Sequence, residues 1–519
     1  MDDLRTGRPD SPPWWRTSVV YQIYPRSFAD GNGDGVGDLR GIRDRLDHLV
    51  WLGVDAIWLS PIFTSPMADF GYDVADYCDI DPVFGDLAEF DGLLADCHAR
   101  GIRVMLDWVP NHTSIEHPWF VESRSSRDNP KREWYVWRDL GPDGSPPNNW
   151  KAAFAADRPA WTLDPTTGQA YLHCFLPEQP DLNWDNPAVE AAMLDTLRFW
   201  LDRGVDGFRM DVVHLIGKDL AVVDPEGAAA HVAHNDIPAT HERLRHIRAL
   251  LDSYDGDRTS VGEVVLLDEA AMATYYGQDD ELHLSFNFPF LWAPWDAEKL
   301  RRRIDRTLEH LTPRQAWPTW VLSNHDLSRH RERYGGAEAA ARQAALLLLT
   351  LPGTPFLYQG EELGLVDAVV PPDRVVDPGG RDGCRAPIPW TADDRHGWGD
   401  DPWLPFPPEA AERSVERQVA DPASIAQLYR RLLAARRASP ALHAGGFRWL
   451  DAPEDVLAYE RVDPVSGDLA WIVINLVVEE RQVTLPGAGT IALSTDQREE
   501  GRPATGAVGG SIAHVVRPA

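Results

Sequence analysis

One supersecondary unit recurs along the chain and limits the folds open to it: an amphipathic helix, a glycine, a short apolar strand, then a polar or proline-bearing loop. In the first copy Ile42, Leu46 and Leu49 fall at helical spacing, Gly53 follows, and Ala56-Ile57-Trp58-Leu59 reads as the strand. In the second, Phe90, Leu94 and Cys97 lead to Gly101 and Val104-Met105-Leu106-Asp107. In the third, Met193, Leu197, Trp200 and Leu201 lead to Gly204 and Gly207-Phe208-Arg209-Met210-Asp211. A glycine just past the last helical turn marks a helix stop, because the chain turns there into a left-handed conformation that glycine adopts at no steric cost. Helix, glycine and buried strand in repetition predict a parallel sheet with crossover helices.

Further strand candidates are 19–24, 260–264, 282–288, 320–324 and 355–359, which makes eight. Eight parallel strands alternating with helices is the count of a (β/α)8 TIM barrel, so the fold class is α/β. Polar groups gather at the strand ends: Asp107, Asn111 and His112; Arg209 and Asp211; Glu263; His325 and Asp326. That is the end at which a barrel places its chemistry. Residues 113–182 are rich in Trp, Pro, Asn and Asp, lack helical periodicity, and read as an irregular domain inserted after the third strand. Residues 362–420 form a long Pro, Gly and Asp-rich stretch, and loops of that length inside a compact protein are usually functional. From 446 onward, alternating segments separated by Gly and Pro predict an antiparallel β-sandwich. The expected organisation is a catalytic barrel over 1–112 and 183–445, an inserted domain over 113–182 and a C-terminal β-sandwich domain over 446–519.

Fifty Lys and Arg against 81 Asp and Glu leave a formal net charge of −31. That balance argues against nucleic acid and against anionic membrane as partners, since both are held by clustered basic residues. It favours a neutral or cationic ligand. Four cysteines, Cys78, Cys97, Cys174 and Cys384, lack Cys-x-x-Cys spacing and read as free thiols in a reducing compartment. Residues 1–5 show no apolar leader, and no apolar run approaches the roughly 20 residues of a membrane span. A cytoplasmic location is the expectation. The 21 Trp, 16 Phe and 13 Tyr point weakly towards sugar rings, which stack on aromatic faces.

Four acidic groups stand at strand ends: Asp107, Asp211, Glu263 and Asp326. A single such residue is most often a cap or turn former. Here Arg209 stands two residues before Asp211, and side chains i and i+2 of a strand share a face. Both therefore point to the barrel axis, while Phe208 and Met210 face the helices. A cation beside Asp211 keeps it ionised as a nucleophile, and a neighbouring carboxylate raises Glu263. Two carboxyl groups on adjacent strand ends can lie about 5 Å apart, the separation used for double displacement at a glycosidic carbon.

The motifs Asp-Trp-Val-Pro-Asn-His (107–112), Gly-Phe-Arg-Met-Asp (207–211), Gly-Glu-Val (262–264) and Asn-His-Asp (324–326) stand in the order found in glycoside hydrolase family 13, the α-amylase family, which this chain resembles from Trp14 onward. Gln179-Pro180-Asp181-Leu182-Asn183-Trp184, residues 21–28 and Arg381-Asp382-Gly383-Cys384-Arg385-Ala386-Pro387 are similar to the α-glucosidase and oligo-1,6-glucosidase branch. The resemblance implies roles. Asp211 is the nucleophile, Glu263 the general acid/base, and Asp326 the third carboxylate, gripping the sugar 2- and 3-hydroxyls. His112, His325 and Arg209 hold the same sugar. Asp69 binds the terminal 4-hydroxyl, Tyr72 is the platform under the ring, and Arg385 pairs with Asp69 to close the pocket. Phe154 and Phe175 line the pocket or the neighbouring site, with core of the inserted domain as the alternative. One departure from the branch pattern is Ala155-Ala156-Asp157-Arg158-Pro159-Ala160-Trp161, which bears on the entrance wall.

Asp30-Gly-Asn32-Gly-Asp34-Gly-Val36-Gly-Asp38 alternates oxygen ligands with glycines, as at the start of an EF-hand loop. Gly41 at the twelfth position excludes a true EF-hand. The resemblance implies a structural Ca²⁺ or Mg²⁺ on Asp30, Asn32, Asp34, the Val36 carbonyl and Asp38, with no organic cofactor. Val212, directly after Asp211, goes in this branch with α-1,6 preference, although valine in a strand is ordinarily packing. The expected activity is a retaining, exo-acting α-glucosidase that releases glucose from a neutral disaccharide or short oligosaccharide. An α-glucosyltransferase or a sucrose- or trehalose-type isomerase using the same intermediate is the alternative. A binding protein on this fold should have lost Asp211 or Glu263, and both are present.

Overall fold

The computed structural model describes residues 12–222, 236–399 and 401–519. Residues 1–5, from which the absence of a leader was read, lie outside it. The eight expected strands are β1 (Val20–Ile23), β2 (Ala56–Leu59), β3 (Arg103–Trp108), β4 (Gly207–Met210), β5 (Thr259–Gly262), β6 (Leu284–Ser285), β7 (Thr319–Val321) and β8 (Thr354–Tyr358). They form one parallel sheet in the order β6-β5-β4-β3-β2-β1-β8-β7. The ladder runs through the β1–β8 pairing, and across the β6/β7 seam Thr319 Oγ1 donates to the Ser285 carbonyl at 2.5 Å.

Strand periodicity separates two cores. Val20, Ala56, Trp58, Met105, Val261, Leu284, Val321 and Phe356 pack inside the barrel. Tyr21, Ile57, Leu59, Leu106, Phe208 and Met210 pack outward against the helices. The crossover helices end as their glycines require. Leu87–Ala99 starts in a capping box of Asp86 and Glu89. Pro187–Arg203 starts at Asn186 and stops at Gly204, whose φ of +102° suits glycine. The first helix is broken in two, Leu39–Asp44 and Leu46–Leu52, at Arg45.

The insertion after β3 holds a three-stranded antiparallel sheet (Trp137–Arg138, Gln169–Leu172, Trp161–Asp164), a two-stranded ribbon (Lys151–Ala152, Ala155–Pro159) and a short helix, Pro118–Ser123. The C-terminal part is an antiparallel sheet of β9 (Gly446–Trp449), β10 (Val456–Val462), β11 (Leu469–Asn475), β12 (Gly489–Ser494) and β13 (Ala513–Pro518), in the order β9-β10-β11-β13-β12. One face, with Leu457, Tyr459, Ile472 and Ile474, joins the main core. The other, with Val456, Ala458, Trp471 and Val473, packs on Val483 and Val508 beside the Arg481–Gln482/Ala507–Val508 ribbon. The buried Arg461 of β10 donates to the Thr350 carbonyl at the end of the helix Glu338–Thr350, and so ties this sheet to the barrel. Among the described residues no helix is long and apolar enough to cross a membrane.

Candidate active site

The register of β4 sets the centre of the site. Arg209 stands opposite Asp107 on β3 and Val261 on β5, and is almost fully buried. Its Nη1 donates to Asp107 Oδ1 at 2.7 Å, to Asp211 Oδ1 at 2.8 Å and to the Tyr72 hydroxyl at 3.2 Å. Its Nη2 donates to the Glu263 carboxylate. Asp211 and Glu263 thus sit side by side at the two ends of one guanidinium. Trp58 Nε1 and the Tyr72 hydroxyl donate to Asp107 Oδ2 at 3.2 and 3.1 Å.

Three carboxylates share this one cation, so the cluster retains protons. Burial pushes Asp107 up to about 7 against the pull of Arg209. Burial also pushes Asp211 well above the ordinary carboxylate range; Arg209 opposes it, and Glu263 and Asp107 add to it. The expectation that Arg209 alone keeps Asp211 ionised is corrected here: desolvation and the neighbouring anions outweigh the guanidinium.

Asp326 forms the second focus. It is the more open carboxylate, its side chain 30% exposed against 8% for Asp211. Its Oδ1 accepts from Arg381 Nη1 at 2.9 Å and Arg385 Nη2 at 3.0 Å, and His325 Nε2 lies 3.1 Å from Oδ2. Burial alone would raise it, but the Arg381 and Arg385 guanidiniums hold it far below the usual range. His325 is buried and neutral, its pKa driven well below the ordinary value. Gln22 Nε2 donates to His325 Nδ1 at 2.7 Å, which leaves the proton on Nε2, 2.5 Å from the Tyr72 hydroxyl. The Tyr72 and His325 rings stack at 5.5 Å.

The expected Asp69–Arg385 pair is not formed. Arg381 takes that position, its Nη2 donating to Asp69 Oδ1 at 2.6 Å. Arg385 instead donates to Asp326, to the His325 carbonyl at 2.8 Å and to Asp377 Oδ1 at 3.3 Å. The reason is the 3-10 turn Asp382–Arg385, which carries Arg385 inward to full burial and leaves Arg381, just before it, facing the pocket. Asp377, buried and held low by Arg381 and Arg385 against its own desolvation, accepts from Arg381 N, Nε and Nη2 and fixes that side chain. Asp69 is raised by burial, with Arg381 opposing.

His112 lies under this wall, with Phe175 at 5.2 Å and Phe154 at 5.8 Å from Phe175. The Arg381 guanidinium lies over the Phe154 ring at 4.9 Å. Both phenylalanines therefore belong to the pocket region. Val212 is not in a strand: it has φ 32° and ψ 40°, a left-handed conformation strained for a β-branched residue. The kink aims its N–H at Glu263 Oε2, 3.3 Å away.

In the 30–38 loop, Asp30 accepts from Gly33, Gly35 and Gly399 N–H groups, and Asn32 and Asp34 accept from Asp34 and Val36 N–H groups. Asp38 caps the helix Leu39–Asp44 through Gly41 N at 2.6 Å and also receives Gly31 N. Among the described residues no three His, Cys, Asp or Glu side chains converge on a metal position. The groups that alternate with glycine in the sequence of this loop are all oxygen (the Asp30, Asp34 and Asp38 carboxylates, the Asn32 amide and the Val36 carbonyl), the chemistry of a hard cation.

Arg381, Asp377 and Gln179 were not picked out individually as site residues from the sequence. Two of them lie in stretches that the sequence does mark, 381–387 and 179–184, but which arginine of 381 and 385 meets Asp69 depends on how the loop turns.

A parallel barrel with two carboxyl groups on one guanidinium at its strand ends, and a charged cluster beside them, has the layout of a glycosidase site. The Alpha-amylase family model (alpha amylase, catalytic domain) matches residues 22–445. A protein of Rhizobium meliloti (strain 1021) named "Probable alpha-glucosidase" is 44% identical over 507 residues, covering 91% of each chain. An "Oligo-1,6-glucosidase" of Heyndrickxia coagulans is 40% identical over 490 residues, covering 84% of this chain and 87% of its own. The crystal structure of the alpha-glucosyl transfer enzyme XgtA superposes with a TM-score of 0.90 at 41% identity, over 98% of this chain and all of that one. The chain belongs to the α-amylase family, glycoside hydrolase family 13, on its α-glucosidase and oligo-1,6-glucosidase branch, and is a glycoside hydrolase.

Proposed function

We propose that the protein is a retaining, exo-acting α-glucosidase that releases single glucose units from the non-reducing end of short α-glucosides such as maltose and isomaltose. The observation that carries this reading is the Arg381–Asp69 contact at 2.6 Å, made by a guanidinium that also holds Asp326 at 2.9 Å; we read this pair as closing the pocket beyond one terminal sugar. In the first step Asp211 attacks the anomeric carbon while Glu263 gives its proton to the departing glycosidic oxygen. The glycosidic bond breaks and a glucosyl-Asp211 ester forms. In the second step Glu263 takes a proton from water, the oxygen of that water displaces Asp211, and glucose leaves with its original anomeric configuration. Asp326, with His325 and His112, grips the sugar hydroxyls, and Arg209 and Tyr72 steady the carboxyl cluster and the ring.

Initial rates of glucose release from maltose and isomaltose, with Asp211→Asn as control, test the reading. Release by the native chain and loss in the variant support it; release from neither disaccharide refutes it. The likeness to the alpha-glucosyl transfer enzyme XgtA favours one second reading, glucosyl transfer from the same intermediate to a sugar in place of water. It would show as glucoside products exceeding free glucose.

We further propose that Asp30, Asn32, Asp34, the Val36 carbonyl and Asp38 hold a structural Ca²⁺ or Mg²⁺. Such an ion supplies charge compensation to the loop between β1 and the helix Leu39–Asp44, with no part in bond breaking. We place the protein in the cytoplasm, a reading supported by four free cysteines.

A further inference from the structure

We propose that the buried Lys218–Asp181 ion pair decides which ring nitrogen of His112 carries the proton, acting through Asn111, and that Lys218 is thereby a positioning residue for the sugar. The sugar contact rests on the glucosidase reading; the tautomer assignment does not.

Lys218 is one of four lysines in the chain. Its side chain is 5% exposed and lies seven residues beyond the nucleophile, while Asp181 comes from the inserted region. An ammonium group only donates. Lys218 Nζ donates to Asn111 Oδ1 at 2.6 Å and to the Leu215 carbonyl, and lies 3.1 Å from Asp181 Oδ2. The ammonium therefore identifies the amide oxygen of Asn111. Asn111 Nδ2 then faces Asp181 Oδ1 at 3.2 Å, and an ionised carboxylate only accepts. Cation and anion demand the same amide orientation.

The remaining Nδ2 hydrogen points at His112 Nδ1, 3.0 Å away. Nδ1 must present a lone pair, so the proton is on Nε2, which donates to the Tyr72 carbonyl at 3.1 Å. The assignment is contested. Gln179 Nε2 lies 3.1 Å from the same His112 Nε2. Its own orientation is fixed, since its Oε1 accepts from Leu176 N at 3.0 Å and its Nε2 donates to Asp69 Oδ2 at 3.1 Å. Gln179 therefore favours a lone pair on Nε2, the opposite tautomer. Burial holds His112 down to about 4, so the ring is neutral at pH 7 and the choice between tautomers is real. With the ion pair in place the ring's one N–H is at Nε2, where a sugar hydroxyl would share it with the Tyr72 carbonyl.

The test uses the full-length protein labelled with ¹⁵N-histidine, the His112 signals being those lost in His112→Asn. The native protein should show a protonated Nε2 and a pyridine-like Nδ1. Asn111→Asp replaces the donor with an acceptor and should move the proton to Nδ1. Lys218→Met keeps the aliphatic stem and should give a mixture of tautomers, with glucose affinity reduced about 5-fold, the scale of one neutral hydrogen bond. Thermal unfolding of each variant shows whether it has folded. A native Nδ1–H tautomer, or an unchanged tautomer in folded Lys218→Met and Asn111→Asp, overturns the proposal, even where affinity falls. A native chain that releases no glucose but shows the expected tautomer changes refutes the glucosidase reading and leaves this assignment standing.

Discussion

Arg381 Nη2 lies 2.6 Å from Asp69 Oδ1, and the same guanidinium reaches Asp326 Oδ1 at 2.9 Å from Nη1. One side chain from the loop after β8 thus joins Asp69 to the carboxylate that follows β7. Replacing Arg381 with Ala should raise KM for maltose and isomaltose about 10- to 100-fold, since charge-assisted hydrogen bonds contribute about 1.5–3 kcal/mol. Arg381 also lowers Asp69 against its burial. Its loss should therefore raise the Asp69 carboxyl further and move the acid limb of kcat/KM to higher pH. Steady-state kinetics between pH 4 and 8 check both effects.

The Asp107–Asp211–Glu263 cluster makes a second pH prediction. Burial and two neighbouring anions raise Asp211, so activity that needs it ionised should fall on the acid side well above the usual carboxylate range of about 4. Asp107→Asn removes one of those anions. The sign follows: less repulsion stabilises ionised Asp211, and the acid limb should shift to lower pH while kcat falls through loss of the Arg209 contact. A limb that stays in place or moves up contradicts this account of the cluster.

Val212 is placed by its strained backbone beside Glu263. Val212→Thr keeps the volume and β-branching but adds a hydroxyl. The ratio of kcat/KM for maltose over isomaltose should rise by roughly 10-fold, within the range that one small group in a pocket can provide. Equal ratios in the two proteins would assign the residue to packing and backbone geometry alone.

An ion bound to the 30–38 loop only in the folded state stabilises that state by mass action, about 2.7 kcal/mol at 100 times its Kd. Adding Ca²⁺ to chelated protein should raise the unfolding temperature, and Asp34→Asn should abolish most of that response. An unfolding temperature indifferent to both Ca²⁺ and Mg²⁺ would remove the proposed site.

The barrel was legible because helix stops and strand periodicity repeat: Gly53, Gly101 and Gly204 all adopt positive φ at or just past their helix ends. The inward pointing of Arg209 and Asp211 followed from alternation alone. What stayed hidden depended on loop geometry and long-range pairing. Arg381 and Arg385 are both plausible partners for Asp69 in sequence, and only the 3-10 turn between them decides. Val212 looks like a strand residue, and its left-handed backbone has no signature in a β-branched side chain. Strand β13, Ala513–Pro518, was missed because the segment is short and ends in proline, yet it pairs between β11 and β12 in the middle of the C-terminal sheet. The Lys218–Asn111–His112 relay joins two segments about a hundred residues apart, and no local pattern announces it.

The central claim is double displacement at the anomeric carbon with Asp211 as nucleophile, and the configuration of the first product tests it most directly. Time-resolved proton NMR of isomaltose hydrolysis should show α-glucose appearing first, with β-glucose rising only as mutarotation proceeds, and Asp211→Asn should release neither. β-Glucose as the first product, or undiminished release by Asp211→Asn, would contradict the account.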